Sequence, residues 1–185
     1  MIAVVDYGAG NLRSVVNAIA RLGYRATVTS DPGDLRDASA VILPGVGAAA
    51  DTMRNLERLG LSEAICRVVA DGLPMLAICV GMQVLFEETE EGGRHRCLGI
   101  IPGVVRRLPA GLKIPHMGWN QIDQRRPVPL LDGLPDHSYA YFVHSYYVDP
   151  HDSAIVAATT DYGIGFCSIV ARERLCAIQF HPEKS

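Results

Sequence analysis

Short, continuously apolar runs alternate with amphipathic stretches through the first half of the chain. "IAVVD" (2–6), "RATVT" (25–29), "AVILP" (40–44) and "PMLAIC" (74–79) predict strands, and apolar character on successive residues implies burial of both faces. Between the first two, "NLRSVVNAIARLG" (11–23) places Leu12, Val15, Val16, Ile19 and Leu22 at helical spacing, with Gly23 as a stop. Two more helical stretches are predicted at about 49–58 and 61–71. Helical crossovers between apolar strands imply a parallel sheet covered on both sides. After the fourth strand, "GMQVLFEE" (81–88) reads as the first turns of another helix.

From about residue 97 the pattern changes. Pro and Gly punctuate short strands such as "GIIPGVVRRL", "YAYFVHSYYV", "AIVAATT", "GFCSIVAR" and "LCAIQFH", which predict antiparallel additions to the first sheet. No internal repeat, low-complexity tract or linker interrupts the chain. The expectation is one α/β domain over 1–185, with a doubly wound, mostly parallel, flavodoxin-like sheet extended by antiparallel strands.

Composition narrows the function classes. A chain of 185 residues is long enough to bury a full core, and 49% hydrophobic with 20% charged residues is ordinary for a globular protein. A net charge of −3 without a Lys/Arg block argues against a nucleic-acid surface, since "RRLP" (106–109) and "QRR" (124–126) are too short to form one. No apolar run is long enough to cross a bilayer, and "MIAVVDYG" enters a strand directly, so neither a membrane span nor a signal peptide is expected. The five cysteines (66, 79, 97, 167, 176) form no CxxC pair, so no metal site or redox dithiol is indicated. A reduced, cytoplasmic setting fits, with most thiols acting as small core residues.

Candidate chemistry gathers where strands end, which is where open α/β sheets place ligand sites. Cys79 stands between the fourth strand and the following turn, flanked at two residues' distance by Ala77 and Gly81. A nucleophile on a strained strand-to-helix elbow needs such small neighbours, and helix N–H groups aimed at the sulfur favour thiolate. Taken alone, the pattern fits a buried core cysteine equally well. "HPE" (181–183) shifts that balance. Pro182 biases His181 to extended backbone, so His181 and Glu183 project to one side, and a carboxylate there would orient the imidazole. By itself the same tripeptide fits a solvated strand end. In "PGVG" (44–47), Gly45 and Gly47 permit the unusual backbone angles that could turn N–H groups toward a developing oxyanion, although a plain tight turn also explains them. Gln83 lies one helical turn after Cys79 on the same face.

The order "PGVG", "ICVGMQ", "VHSYYV", "HPEKS" resembles the class I (triad) glutamine amidotransferase family. The opening "DYGAGNLRSVVNAIARLG" and "IPHMGWNQI" are similar, within that family, to the glutaminase subunits of imidazole glycerol phosphate synthases. The likeness runs from residue 2 to residue 184. It implies a Cys79–His181–Glu183 triad that hydrolyses glutamine through a γ-glutamyl thioester, without a cofactor. It implies an oxyanion site on Gly45, Val46 and Gly47 with the backbone of Val80. Gln83, His144, Ser145 and Tyr146 match positions that hold the two ends of glutamine. His144 read by itself fits a satisfied structural histidine better than a catalytic base.

The resemblance further implies a (β/α)₈-barrel cyclase partner that receives the ammonia, in a heterodimer serving histidine biosynthesis. Pro115, Met117 and Trp119 would lie at or near that contact and Lys184 where ammonia is handed across. Trp and Met are favoured interface anchors in any case. Activity would stay low until the partner docks, with "PGVG" as the element that switches. Two departures stand out. Ala77 occupies a position where many relatives carry Gly, and the sequence stops at Ser185, where relatives usually continue with another short helix. Two alternatives remain: a related triad amidotransferase feeding another synthase, and an interaction subunit whose thiol is inert.

Overall fold

The computed structural model describes residues 1–185. Strand β1 (Ile2–Val5) leads through helix α1 (Leu12–Arg21) to β2 (Ala26–Thr29), then through α2 (Pro32–Arg36) to β3 (Ala40–Leu43). Helices α3 (Ala49–Arg58) and α4 (Leu61–Ala70) precede β4 (Met75–Ile78), which runs into the one-turn helix α5 (Val80–Gln83). Nine strands follow: β5 (Phe86–Thr89), β6 (His95–Arg96), β7 (Ile101–Arg107), β8 (His116–Gln124), β9 (Ser138–His144), β10 (Tyr146–Pro150), β11 (Val156–Asp161), β12 (Gly165–Arg172) and β13 (Leu175–Ile178).

The sheet runs β2-β1-β3-β4-β13-β12-β10-β7-β5-β6, with β11 beside β12 and the β8–β9 pair continuing outward from β11. Strands β2, β1, β3, β4 and β13 are mutually parallel, the order of a flavodoxin-like sheet. The alternation inside β1 explains the two layers. Val4 packs with Val15 and Ile19 of α1, whereas Ala3 and Val5 join the larger core containing Leu35, Leu56 and Ile65 from α2, α3 and α4. No helix is long and apolar enough to cross a membrane.

Three local predictions need correction. The helix expected over 81–88 lasts one turn, because Phe86 enters β5 and pairs with Ile101 of β7. The run "YAYFVHSYYV" is two strands broken at Ser145, with β9 pairing β8 and β10 pairing β7. The final strand, β13, is antiparallel to β12 but parallel to β4, so it joins the parallel layer as its fifth strand and is not an antiparallel addition. Helix α2 escaped the periodicity because five residues are too few to show one. Its signal was local: Asp31 accepts a hydrogen bond from the Gly33 N–H at 2.7 Å, with Pro32 at the first helical position.

Candidate active site

Three chain segments converge at the carboxyl ends of β3, β4 and β13. Cys79 follows β4 with φ 54 and ψ −112, a backbone conformation that costs a non-glycine residue energy and that its surroundings must enforce. They do so through two glycines. A Cβ built on Gly81 would lie 2.2 Å from the Leu43 carbonyl oxygen, and one built on Gly45 would lie 2.1 Å from the Gly81 nitrogen. The "PGVG" backbone is therefore pressed directly against the elbow, a contact only glycine allows. Gly47, two residues on, has φ +83 with open space around its Cα.

His181 follows β13. Its Nδ1 is 2.9 Å from Glu183 Oε1, and both side chains are about 95% buried or more. Burial opposes charge on the ring, but the neighbouring Cys79 sulfur and the hydrogen-bonded Glu183 carboxylate outweigh it and push the His181 pKa up to about 9. For Glu183, burial works against ionisation and the hydrogen bond from His181 overrides it, holding the carboxyl below its usual range. The turn carrying the pair, Pro182–Lys184, is tied to β9: the His181 N–H donates to the Tyr141 carbonyl at 3.0 Å. Ser185 Oγ accepts from the Tyr141 N–H at 3.0 Å and donates to the His181 carbonyl at 2.8 Å.

A cavity of about 280 Å³ opens on these groups, lined by Val46, Gly47, Cys79, Val80, Gln83, Glu91, Pro115, Val143, His144, Ser145 and His181. Of the residues singled out from the sequence, Gly45 and Glu183 stand behind this lining and Tyr146 outside it. His144 has both ring nitrogens engaged within the protein, one with the Tyr146 carbonyl and one with His116. Gln83 Nε2 likewise donates to the Tyr146 carbonyl at 3.0 Å and to Gln179 Oε1 at 3.1 Å. Met117 and Trp119 are more than half exposed on the outer face of β8, and Lys184 Nζ sits 5.6 Å from the Tyr141 ring centroid on the same side. No group of three or more His, Cys, Asp or Glu is arranged to hold a metal ion.

Two contributors were missed from the sequence. Glu91 puts a carboxylate in the cavity wall while Oε2 accepts from the Ala49 N–H, at the start of α3, at 2.7 Å. It hides in "FEETEEGG", where four glutamates look alike and only the fold selects one. Gln179, fully buried, donates from Nε2 to Cys79 Sγ at 3.5 Å. A polar side chain inside the apolar run "LCAIQF" was a usable signal. Burial pushes the Cys97 and Cys167 thiols up to about 12, which disfavours their thiolate forms.

The family model for "Glutamine amidotransferase class-I" matches residues 3–185. The imidazole glycerol phosphate synthase subunit HisH of Dehalococcoides mccartyi strain CBDB1 is 63% identical over 185 residues, covering all of this chain and 90% of that protein. HisH of Chloroflexus aurantiacus is 57% identical, covering all of this chain and 89% of its own length. Among solved structures, a glutamine amidotransferase superposes with a TM-score of 0.79 at 20% identity, covering 100% of this chain and 92% of that one. PurLQS from Thermotoga maritima superposes at 0.78 and 18% identity, covering 98% and 87%. These structural likenesses speak to fold. With the full-length sequence matches beside them, the chain belongs to the class-I glutamine amidotransferase family, in the group of its HisH relatives.

Proposed function

We propose that this chain is the glutaminase subunit of an imidazole glycerol phosphate synthase, hydrolysing L-glutamine to glutamate and ammonia. The observation that carries the reading is the positive-φ Cys79 elbow, sharing one cavity with His181, whose other side is hydrogen-bonded to Glu183. With the proton of the Cys79–His181 pair held on His181, the Cys79 sulfur attacks the side-chain carbonyl carbon of glutamine. The tetrahedral oxyanion is received by N–H groups at Gly47 and Val80, and the pressed contact between Gly45 and Gly81 holds those two segments together. His181 returns the proton to the departing nitrogen, leaving a γ-glutamyl thioester and free ammonia. Water then enters, His181 takes its proton, and collapse of the second tetrahedral intermediate releases glutamate and regenerates Cys79. Glu183 supports the imidazolium throughout.

At the far end of glutamine, the Glu91 carboxylate complements the α-ammonium, and Gln83 with the backbone of Ser145 offers polar partners at the pocket wall. The partner is a (β/α)₈-barrel cyclase, docked on the face bearing Pro115, Met117, Trp119 and Lys184. It takes up the ammonia for histidine biosynthesis in the cytoplasm. Supporting this face is its exposed aromatic character: Trp119 is 57% exposed and stands edge-on to Tyr141, beside Met117 at 61%. The test is to measure glutamate formed from glutamine with and without the cyclase. Turnover that rises on mixing and vanishes in Cys79→Ala is the expected result. No glutamate in either case, with Cys79 intact, would overturn the reading and leave the inert interaction subunit.

A further inference from the structure

On the inner face of the β8–β9 pair, His116 and His144 stand directly opposite in register, with His116 Nδ1 2.9 Å from His144 Nε2. Both are at least 95% buried. Their partners dictate where each proton sits. His144 Nδ1 is 2.9 Å from the Tyr146 carbonyl oxygen, which can only accept, so this nitrogen carries the hydrogen. A neutral imidazole has one N–H, so His144 Nε2 is bare and accepts from His116 Nδ1–H. His116 Nε2 is then bare in turn, and Asn120 Nδ2 lies 3.3 Å from it as a donor. The same Asn120 amide is oriented independently by its 2.8 Å bond to the Asp161 carbonyl. Both ends of the chain therefore demand the same tautomers.

Adding a proton to either ring would set two donors face to face. The surroundings reinforce this. The His116 ring lies between Tyr162, stacked at 4.0 Å, and Phe142 at 5.0 Å, while His144 packs on Phe166 at 4.9 Å. The ionisable groups turned toward the pair are Tyr162, whose hydroxyl donates to the Lys113 carbonyl, and His181, whose charge opposes a second one. Burial foremost holds both rings down to about 4.

The line of hydrogen bonds continues past the pair. The Tyr146 carbonyl also accepts from Gln83 Nε2, which donates to Gln179 Oε1, and Gln179 Nε2 donates to Cys79 Sγ. One unbroken sequence of donors and acceptors thus runs from β8, whose outer face carries Met117 and Trp119, to the thiol. We propose that His116 and His144 are a tautomer-locked positioning pair. They hold the Tyr146 carbonyl, and through it Gln83 and Gln179, as the wall against which Cys79 and the glutamine side chain are set. The inference rests on the glutaminase reading of this site, and it assigns the pair no contact with substrate.

Two measurements test it. Side-chain ¹⁵N NMR of the unaltered chain between pH 6 and 8 should show both rings neutral with the hydrogen on Nδ1, the less common tautomer in water. A hydrogen on Nε2 of either ring, or charge on either at pH 7, overturns the proposal. In the presence of the cyclase partner, His116→Leu removes the donor to His144 and is expected to raise the KM for glutamine about tenfold, the size expected for one orphaned buried hydrogen bond. His116→Asn, which keeps an amide donor near Nδ1, should stay within about threefold. A folded His116→Leu chain with unchanged KM and kcat would overturn the role. If His116→Leu does not fold, His144→Asn, which keeps the donor to Tyr146, compared with His144→Gln, which loses it, decides the same question. The tautomer measurement uses no substrate, so an unaltered chain that fails to hydrolyse glutamine strikes the glutaminase reading and not the pair's geometry.

Discussion

His181 and the buried histidine pair are the same residue type pushed in opposite directions, and the difference lies in what each nitrogen meets. His181 gains an anionic partner and rises to about 9; His116 and His144 meet carbonyls, an amide and each other, and fall to about 4. The sign of each contribution to stability follows. Between an unfolded value near 6.5 and 9, folded His181 keeps a proton that the unfolded chain has lost, so its stabilisation is complete below about 6.5 and is lost as pH rises through 9. Between 6.5 and 4 the unfolded chain binds protons that His116 and His144 refuse, so stability falls as pH drops through that window. Denaturant titrations across pH 4–9 should therefore show a maximum near 6.5, with a slope of up to about 1.4 kcal/mol per pH unit for each group. A plateau from pH 5 to 9 would contradict these environments. Glu183→Gln keeps the shape of the side chain but removes the charge that supports His181. Glutaminase kcat should fall about 10²- to 10⁴-fold, and the His181 titration should move down, as NMR would read.

At the scale of elements, the pressed contact between "PGVG" and the Cys79 turn is the joint on which the site depends. Gly45→Ala and Gly81→Ala each force backbone apart, since the added carbon would meet the Gly81 nitrogen at 2.1 Å or the Leu43 carbonyl at 2.2 Å. Each should cost about 1–3 kcal/mol in chemical denaturation and abolish detectable turnover. Gly47→Ala meets no atom within 4 Å but must hold φ +83, so it should cost only about 1–2 kcal/mol in stability while slowing turnover. The contrast among these glycines was not readable from the motif, which presents them as equivalent. The elbow's small neighbours, by contrast, were readable, because Cys79 between Ala77 and Gly81 describes a local backbone need.

For the whole molecule, one edge of the sheet faces two ways. The β8–β9 pair turns Met117, Trp119, Tyr139, Tyr141 and Val143 outward and His116, Phe142 and His144 inward, as strict alternation requires. Trp119→Ala removes a side chain that is mostly exposed and touches Tyr141 at its edge, so the isolated chain should lose no more than about 1 kcal/mol. Association with the cyclase should weaken by about 2 kcal/mol or more, read by titration calorimetry. Equal affinity for the unaltered and altered chains would place the docking surface elsewhere.

The sequence by itself determined what depends on near neighbours along the chain: the apolar strands and amphipathic helices of the first half, and the small residues Ala77 and Gly81 beside Cys79. The facing of His181 and Glu183 is made by the 3-10 turn Pro182–Lys184, not by the extended alternation across Pro182. Periodicity and backbone restriction are local, so they are written in order. Tertiary structure alone decided the rest. Whether Phe86 continued a helix or joined β7, whether "YAYFVHSYYV" was one strand or two, and where β13 inserted all depend on pairings 15 or more residues away. The same holds for Glu91, Gln179 and the histidine pair, whose partners lie 28 to 100 residues distant along the chain. Hydrogen bonds of that reach leave no period in a sequence, because what fixes them is the burial that only the completed sheet provides.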